Sequence, residues 1–349
     1  MLQRIQHETR LTYTLPVHET VFEVRMAPPS DDDQTSLSYQ LKTTPQAPVT
    51  SYRDGYGNRV DLFNATTPYR ELVVSVTSYV RTHRRPPLDR LSSANAVWKG
   101  PPSRSSDAPH PAEDAAVEAL EFLQPSPLIP RCVEVDEFVA SLDLAPGPLS
   151  ATLDALMKAV STRLKYEKSV TRARTPVGEA LRLGRGVCQD LAHLYIGACR
   201  GLGLPARYVS GYVNHPGEIA THAWCQVWGG DRVGWVDVDP THDRYANNEY
   251  IATAFGRDYH DVPPNRGLWK GRAEETIAVT VKVDAVDRVP LEWNDWNAPT
   301  FRPMTGQGQY QSQRQNGSRQ VSRNRAAYPH QAGPHAGLVN QQSEQQQQG

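Results

Sequence analysis

Three residue types able to act together as nucleophile, base and orienting acid lie within one stretch of the chain: Cys188, His222, and either Asp237 or Asp239. The glycine-rich approach Gly184-Arg185-Gly186 delivers Cys188 to the start of a run that reads as a helix. Unpaired N–H groups and the positive dipole end of a helix N-terminus favour thiolate over thiol, and the same N–H groups can hold an oxyanion. His222 would take the thiol proton, and a carboxylate would fix the imidazole tautomer. The runs 222–228 and 233–239 read as a hairpin about Gly229-Gly230-Asp231-Arg232. Centring the hairpin there sets Asp239 directly across from His222, where cross-strand Cβ atoms stand about 4.5–5.5 Å apart. Asp237 then faces residues nearer Trp224.

Other polar residues have plainer readings. His193 projects about 140° around the helix from Cys188 and reads as a structural hydrogen-bonder. Asp190, in the first turn, favours the helix dipole and is placed to anchor a neighbouring loop. Trp224 and Trp235 read as core or cleft wall. Cys199 lies about 16 Å along the helix from Cys188, too far for a disulfide, and reads as core. Asp31-Asp32-Asp33 lacks the spaced oxygen ligands and glycine of a calcium loop. Two other classes remain open: a non-catalytic module binding peptide in the same cleft, and a metal site made of Cys188, His222, Cys225 and His242. The catalytic reading itself calls for no cofactor and no metal.

The elements that must position these groups can be read from periodicity. The first ninety or so residues alternate in short β-branched and aromatic runs (LTYTL, SLSYQLKTT, DLFNA, ELVVSVTSYV), with Tyr56-Gly57-Asn58-Arg59 as a hairpin turn. A proline- and serine-rich stretch at 98–112 reads as a linker. Helical spacing follows in Val117, Leu120 and Leu123, then in Leu149, Leu153, Leu156, Val160 and Leu164. Thr175-Pro176 opens another helix, which Gly184 and Gly186 stop. The nucleophile helix starts near Val187, buries Leu191, Leu194, Tyr195, Ala198 and Leu202, and ends at Gly201, Gly203 and Pro205. Strands are expected at 206–213, 222–228, 233–239 and 276–286.

The expected fold class is α+β. An antiparallel β domain (1–97) and the linker (98–112) precede a core (113–299) in which the nucleophile helix packs on an antiparallel sheet, ending in the β run 276–286. The Gln-rich segment 300–349 reads as disordered.

Composition bounds the partners. A chain of 349 residues suggests about two domains. Lys plus Arg number 37 against 38 Asp plus Glu, which provides no global field for nucleic acid or an anionic membrane. Four cysteines, at 132, 188, 199 and 225, are too sparse for a disulfide scaffold and fit a reducing compartment. With no signal-like apolar segment near the N-terminus, a cytoplasmic location is expected.

GVCQDLAHL followed by CRGLGLPARYVSGY, then THAWCQVW, then GWVDVDPTH resemble the nucleophile helix, histidine strand and acid strand of the transglutaminase-like superfamily. HETRLTYTLPV, YRDGYGNRV and YRELVVSV resemble the N-terminal region of its bacterial branch, and GRDYHDVPPNRG resembles the segment after the acid, so the likeness spans roughly residues 5–286. Thr221, Cys225 and His242 depart from the family's usual small residue, aliphatic residue and asparagine. The resemblance implies a papain-like fold with Cys188, His222 and Asp239 as the catalytic residues. It also implies acyl transfer on a protein or peptide substrate through a Cys188 acyl-enzyme, as a protease or amidase. Protein-glutamine crosslinking is the alternative outcome.

Overall fold

The computed structural model describes residues 1–101, 117–214, 221–293 and 336–339. Strict alternation along β1 (Leu2–Val24) turns Gln3, Ile5, His7, Thr9, Leu11 and Tyr13 inward. After it come β2 (Gln34–Thr44), β3 (Val49–Arg53), β4 (Arg59–Ala65) and β5 (Tyr69–Thr82). β3 and β4 turn at Asp54–Asn58, where the Asp54 carboxylate accepts the N–H groups of Tyr56 and Asn58. The two halves of β1 serve different partners: its first half pairs with β5 and its second with β4, so the sheet curls.

The helices follow. α1 (Pro87–Ser93), α2 (Val133–Ala140) and α3 (Leu149–Arg163) precede α4 (Val177–Leu183) and α5 (Cys188–Gly201). α3 buries Leu149, Leu153, Leu156 and Val160, the expected stripe. α4 starts one residue later than the sequence suggested, because Pro176 takes the N-cap position, and it ends where Gly184 turns left-handed at φ 69°. α5 is buried at every position from Cys188 to Cys199, making it the central helix of the core.

The core sheet is antiparallel throughout. β6 (Ala206–Val213), β7 (Thr221–Trp228), β8 (Trp235–Asp239) and β9 (Tyr250–Gly256) lie in the order Arg244–Tyr245, β8, β7, β6, β9. The chain then returns to the first sheet: β10 (Asn265–Lys270) and β11 (Glu275–Ala285) both pair with β1. The β run that closes the second region in the sequence is thus a neighbour of the first strand. Alternation identified it as a strand but could not name its partner.

The two sheets are joined by polar side chains at the exposed edge of β9. Gln34 donates to Ala252 O and accepts from Ala252 N, both at 2.9 Å. Asn58 does the same for Phe255, at 2.7 and 2.8 Å. Two amide side chains thereby complete an edge strand that would otherwise present unpaired backbone. Ile5, Val80, Tyr212 and Ile251 form the apolar contact beside them.

The proposed linker from residue 102 onward lies outside the described residues, as does most of the Gln-rich segment. Within that segment the four residues of β12 (Ala336–Val339) pair with β10. Among the described residues no helix is long and apolar enough to cross a membrane.

Candidate active site

Cys188 is the first residue of α5, directly after Val187 at the N-cap. The approach is tight: a Cβ on Gly186 would lie 2.5 Å from Asp190 Oδ2, so only glycine lets the chain pass the helix start. Asp190 Oδ2 accepts Val187 N–H at 2.8 Å and the Thr171 hydroxyl at 2.6 Å, tying the preceding loop to the helix start. Burial pushes the Asp190 carboxyl up to about 6, against the opposing hydrogen bonds. Gln189 secures the same loop by donating to Ala173 O at 3.1 Å.

His222, near the start of β7, has its Nε2 2.7 Å from Asp239 Oδ2. Cys188 lines the same cleft as His222 and is close enough to favour the charged imidazole. The structure therefore brings Cys188, His222 and Asp239 together, with the His222–Asp239 hydrogen bond as the direct link.

The register by which it does so differs from the one expected. Trp228 faces Trp235, and Gln226 faces Asp237. The connection is Gly229–Gly234, two residues longer than a turn ending at Arg232, with Gly230 and Gly234 left-handed at φ 91° and 72°. Continuing this register puts Asp239 across from Trp224, and His222 reaches it diagonally. A shift of two residues preserves the strand face, so the pairing of the groups survives the slip.

Asp237 lies in a separate network. It accepts Trp224 Nε1 at 2.7 Å, Gln226 Nε2 at 3.1 Å and Arg84 at 2.8 Å, and Arg84 also reaches Asp33. This acid anchors the segment after β5 to the core sheet. Trp224 is fully buried and lies against His222, with ring centroids 6.1 Å apart and planes within 18°.

Two partners of Asp239 went unrecognised in the sequence. Its Oδ2 also accepts from the Tyr250 hydroxyl at 2.6 Å and from His242 Nδ1 at 2.6 Å, while Oδ1 accepts Thr241 N–H at 2.9 Å. Burial opposes ionisation of this carboxyl, but the His222 charge and the hydrogen bonds from His222 and His242 hold it below the usual range. Burial likewise opposes charging of His222, yet Asp239 and Cys188 outweigh it and push the imidazole up to about 10. His242 carried a signal, as the residue after the DPT motif. Tyr250 carried none, because its place depends on β9 returning beside β6.

These shifts give the pair a pH signature. A His222 raised from 6.5 to about 10 contributes stability that is complete below pH 6.5 and lost as the pH climbs through 10. The depressed Asp239 contributes stability that is present above its ordinary value of 3.8 and lost in acid. The urea midpoint of the wild type is therefore expected to fall between pH 6.5 and about 10, and His222→Gln is expected to flatten that fall. Parallel profiles for the two proteins would contradict this electrostatic assignment.

The four-residue metal set is not assembled. Cys225 is fully buried with its thiol directed to Ala192 O at 3.4 Å, on the face of β7 opposite His222. Among the described residues, His222, Asp239 and His242 have ligand atoms within 4.8 Å of one another. They are engaged in mutual hydrogen bonds, and an ion among them would break the His222–Asp239 contact. His193 is a fully buried structural acceptor, taking Tyr259 N–H at 3.2 Å, and burial pushes its imidazole down to about 4. Cys199 is fully buried, and burial raises its thiol.

The cleft around Cys188 and His222 is lined by Ser169, Thr171, Ser210, Tyr212 and Thr253 among others. Among the described lining residues there is no Asp, Glu, Lys or Arg.

Residues 3–81 match the bacterial transglutaminase-like N-terminal region, and residues 137–240 match the transglutaminase-like superfamily. An uncharacterized protein of Mycobacterium leprae is 32% identical over 290 residues, spanning 80% of this chain and 97% of that relative. One from Mycobacterium tuberculosis is 33% identical over 299 residues, spanning 81% and 92%. The solved structure of a candidate cysteine protease from Cytophaga hutchinsonii has the same fold, with a TM-score of 0.62 at 22% identity, over 83% of this chain and 93% of that one. By its two matched regions and by these full-length relatives, the chain belongs to the transglutaminase-like superfamily, in the bacterial group that carries the added N-terminal β region.

Proposed function

We propose that the protein is a cysteine-dependent acyl-transfer enzyme that hydrolyses peptide or carboxamide bonds. The observation that carries this reading is Cys188 at the α5 N-terminus sharing a cleft with His222, whose Nε2 is hydrogen-bonded to the buried Asp239. The Cys188 thiolate attacks the carbonyl carbon, and the developing oxyanion faces the first N–H groups of α5, which have no acceptor within the helix. The C–N bond breaks as His222 gives its proton to the leaving amine. Water then adds to the thioester, His222 takes its proton, and the C–S bond breaks to release the acid. Asp239 holds the imidazole orientation through both steps and balances the imidazolium charge.

With no carboxylate among the described lining residues to draw in a lysine ammonium, the cleft favours water as the acceptor. In a crosslinking enzyme a lysine amine would take the place of that water. The test is product analysis on casein and glutamine-containing peptides, with and without a primary amine. New N-termini or released ammonia are expected, absent in Cys188→Ala, with little amine incorporated. Amine incorporation outrunning hydrolysis would favour crosslinking. Identical null results for wild type and Cys188→Ala would favour the binding module.

A further inference from the structure

Asp239 does not serve His222 alone. Its Oδ2 lies 2.7 Å from His222 Nε2, 2.6 Å from His242 Nδ1 and 2.6 Å from the Tyr250 hydroxyl. An ionised carboxylate only accepts, so each of these neighbours brings a proton to it. Burial together with Asp239 pushes the Tyr250 hydroxyl up, so it stays protonated. His242 therefore carries its proton on Nδ1, directed at the acid. Its ring also packs on His222, with centroids 4.7 Å apart and planes at 31°.

Three donors on one oxygen divide its charge. Each sets a positive hydrogen against the oxygen that holds the His222 proton, and so weakens the hold of Asp239 on the imidazolium. The proposed cycle needs that hold to be limited, because His222 gives its proton to the leaving amine and later takes one from water. The demand is greatest in the acyl-enzyme. There the sulfur is bonded to carbon and carries no charge, so Asp239 remains to stabilise the imidazolium against burial. The other titratable neighbours are engaged elsewhere or neutral. Arg244 gives its Nε–H to the Tyr250 oxygen at 2.9 Å and pairs with Glu249 at 3.2 Å. His7 of β1 lines the cleft from the first sheet, and burial pushes its imidazole down to about 3.

We infer that His242 is a positioning residue which shares the Asp239 oxygen with His222 and thereby lets His222 release and regain its proton within the catalytic cycle. This rests on the acyl-transfer reading and deepens it by assigning the residue after the DPT motif a part in the proton transfers.

The test follows the acyl-enzyme on the full chain. p-Nitrophenyl acetate acetylates Cys188 with release of p-nitrophenolate, and loss of the acetyl group to water is timed by mass spectrometry of the Cys188 peptide from about pH 5 to 9. The rate rises as His222 becomes the free base, and the midpoint of that rise is the quantity read. His242→Phe keeps an aromatic ring but removes the donor, and is expected to raise the midpoint by about one pH unit with the plateau rate within about threefold. His242→Asn, whose Nδ2 takes the place of the imidazole Nδ1, is expected to stay within about 0.3 unit of the wild type. An unmoved or lowered midpoint in His242→Phe, or an equal rise in His242→Asn, overturns the inference and leaves the acyl-transfer reading in place. A wild-type Cys188 acetylated no faster than Cys132 would overturn the acyl-transfer reading itself and this inference with it.

Discussion

Asp239→Asn is expected to lower the rate of acyl-enzyme formation by about a thousandfold or more, while Asp237→Asn stays within about threefold at matched folding. The two acids are two residues apart on one strand, yet their surroundings assign them different work. Asp239 receives His222 Nε2 at 2.7 Å and is kept anionic by donors from His242 and Tyr250. An asparagine there can turn its NH2 toward the imidazole, which would favour a ring proton on the nitrogen facing Cys188 and remove the base. Asp237 touches neither His222 nor Cys188 in its hydrogen bonds. Single-turnover kinetics on both variants, with folding checked by circular dichroism, decides between them. The reverse ranking would mean that the His222–Asp239 pair is not the working one.

The second large effect is on stability. Arg84→Met is expected to cost about 3–5 kcal/mol, because it leaves the buried Asp237 anion without its cation. Both side chains are almost wholly buried, at 4% and 1% exposure, and the contact is 2.8 Å. Arg84 follows β5 and Asp237 lies in β8, so the pair also ties the first sheet to the second. Trp224 and Gln226 continue to donate to Asp237 in the variant and soften the loss. Urea denaturation of Arg84→Met beside the double variant Arg84→Met/Asp237→Asn should show partial recovery in the double, since the uncompensated charge is gone. A loss below about 1 kcal/mol would place this pair with weakly coupled surface ion pairs.

The parts of the site set by local chemistry were legible in the sequence. The glycine-rich approach, Cys188 after Val187 and the DPT position of Asp239 marked a helix-start cysteine and the acid that meets His222, because each depends on a few neighbouring residues. The hairpin register was less so: both Gly230 and Gly234 can adopt the left-handed conformation, and the sequence does not say which glycines the turn uses. The slip of two residues kept the strand face, which is why Asp239 still meets His222. Tyr250 and His7 depend on strands that meet only after the chain has folded. His7 did leave a trace, as a polar residue at an inward phase of an otherwise alternating strand, next to the equally inward Thr9. The placement of β11 beside β1 had no such trace, since alternation records burial and leaves partnership open.

The central claim is that Cys188 alone is activated, and limited iodoacetamide labelling of the native full-length protein near pH 6.5 tests it most directly. Cys199 and Cys225 are fully buried, and burial raises the thiols of both as well as that of the partly exposed Cys132. Of the four, Cys188 is the one that lines the cleft with His222. The predicted result is label confined to Cys188 and strongly reduced in His222→Ala. Label at Cys132 equal to or above that at Cys188, or labelling of Cys188 unaffected by loss of His222, would contradict the account.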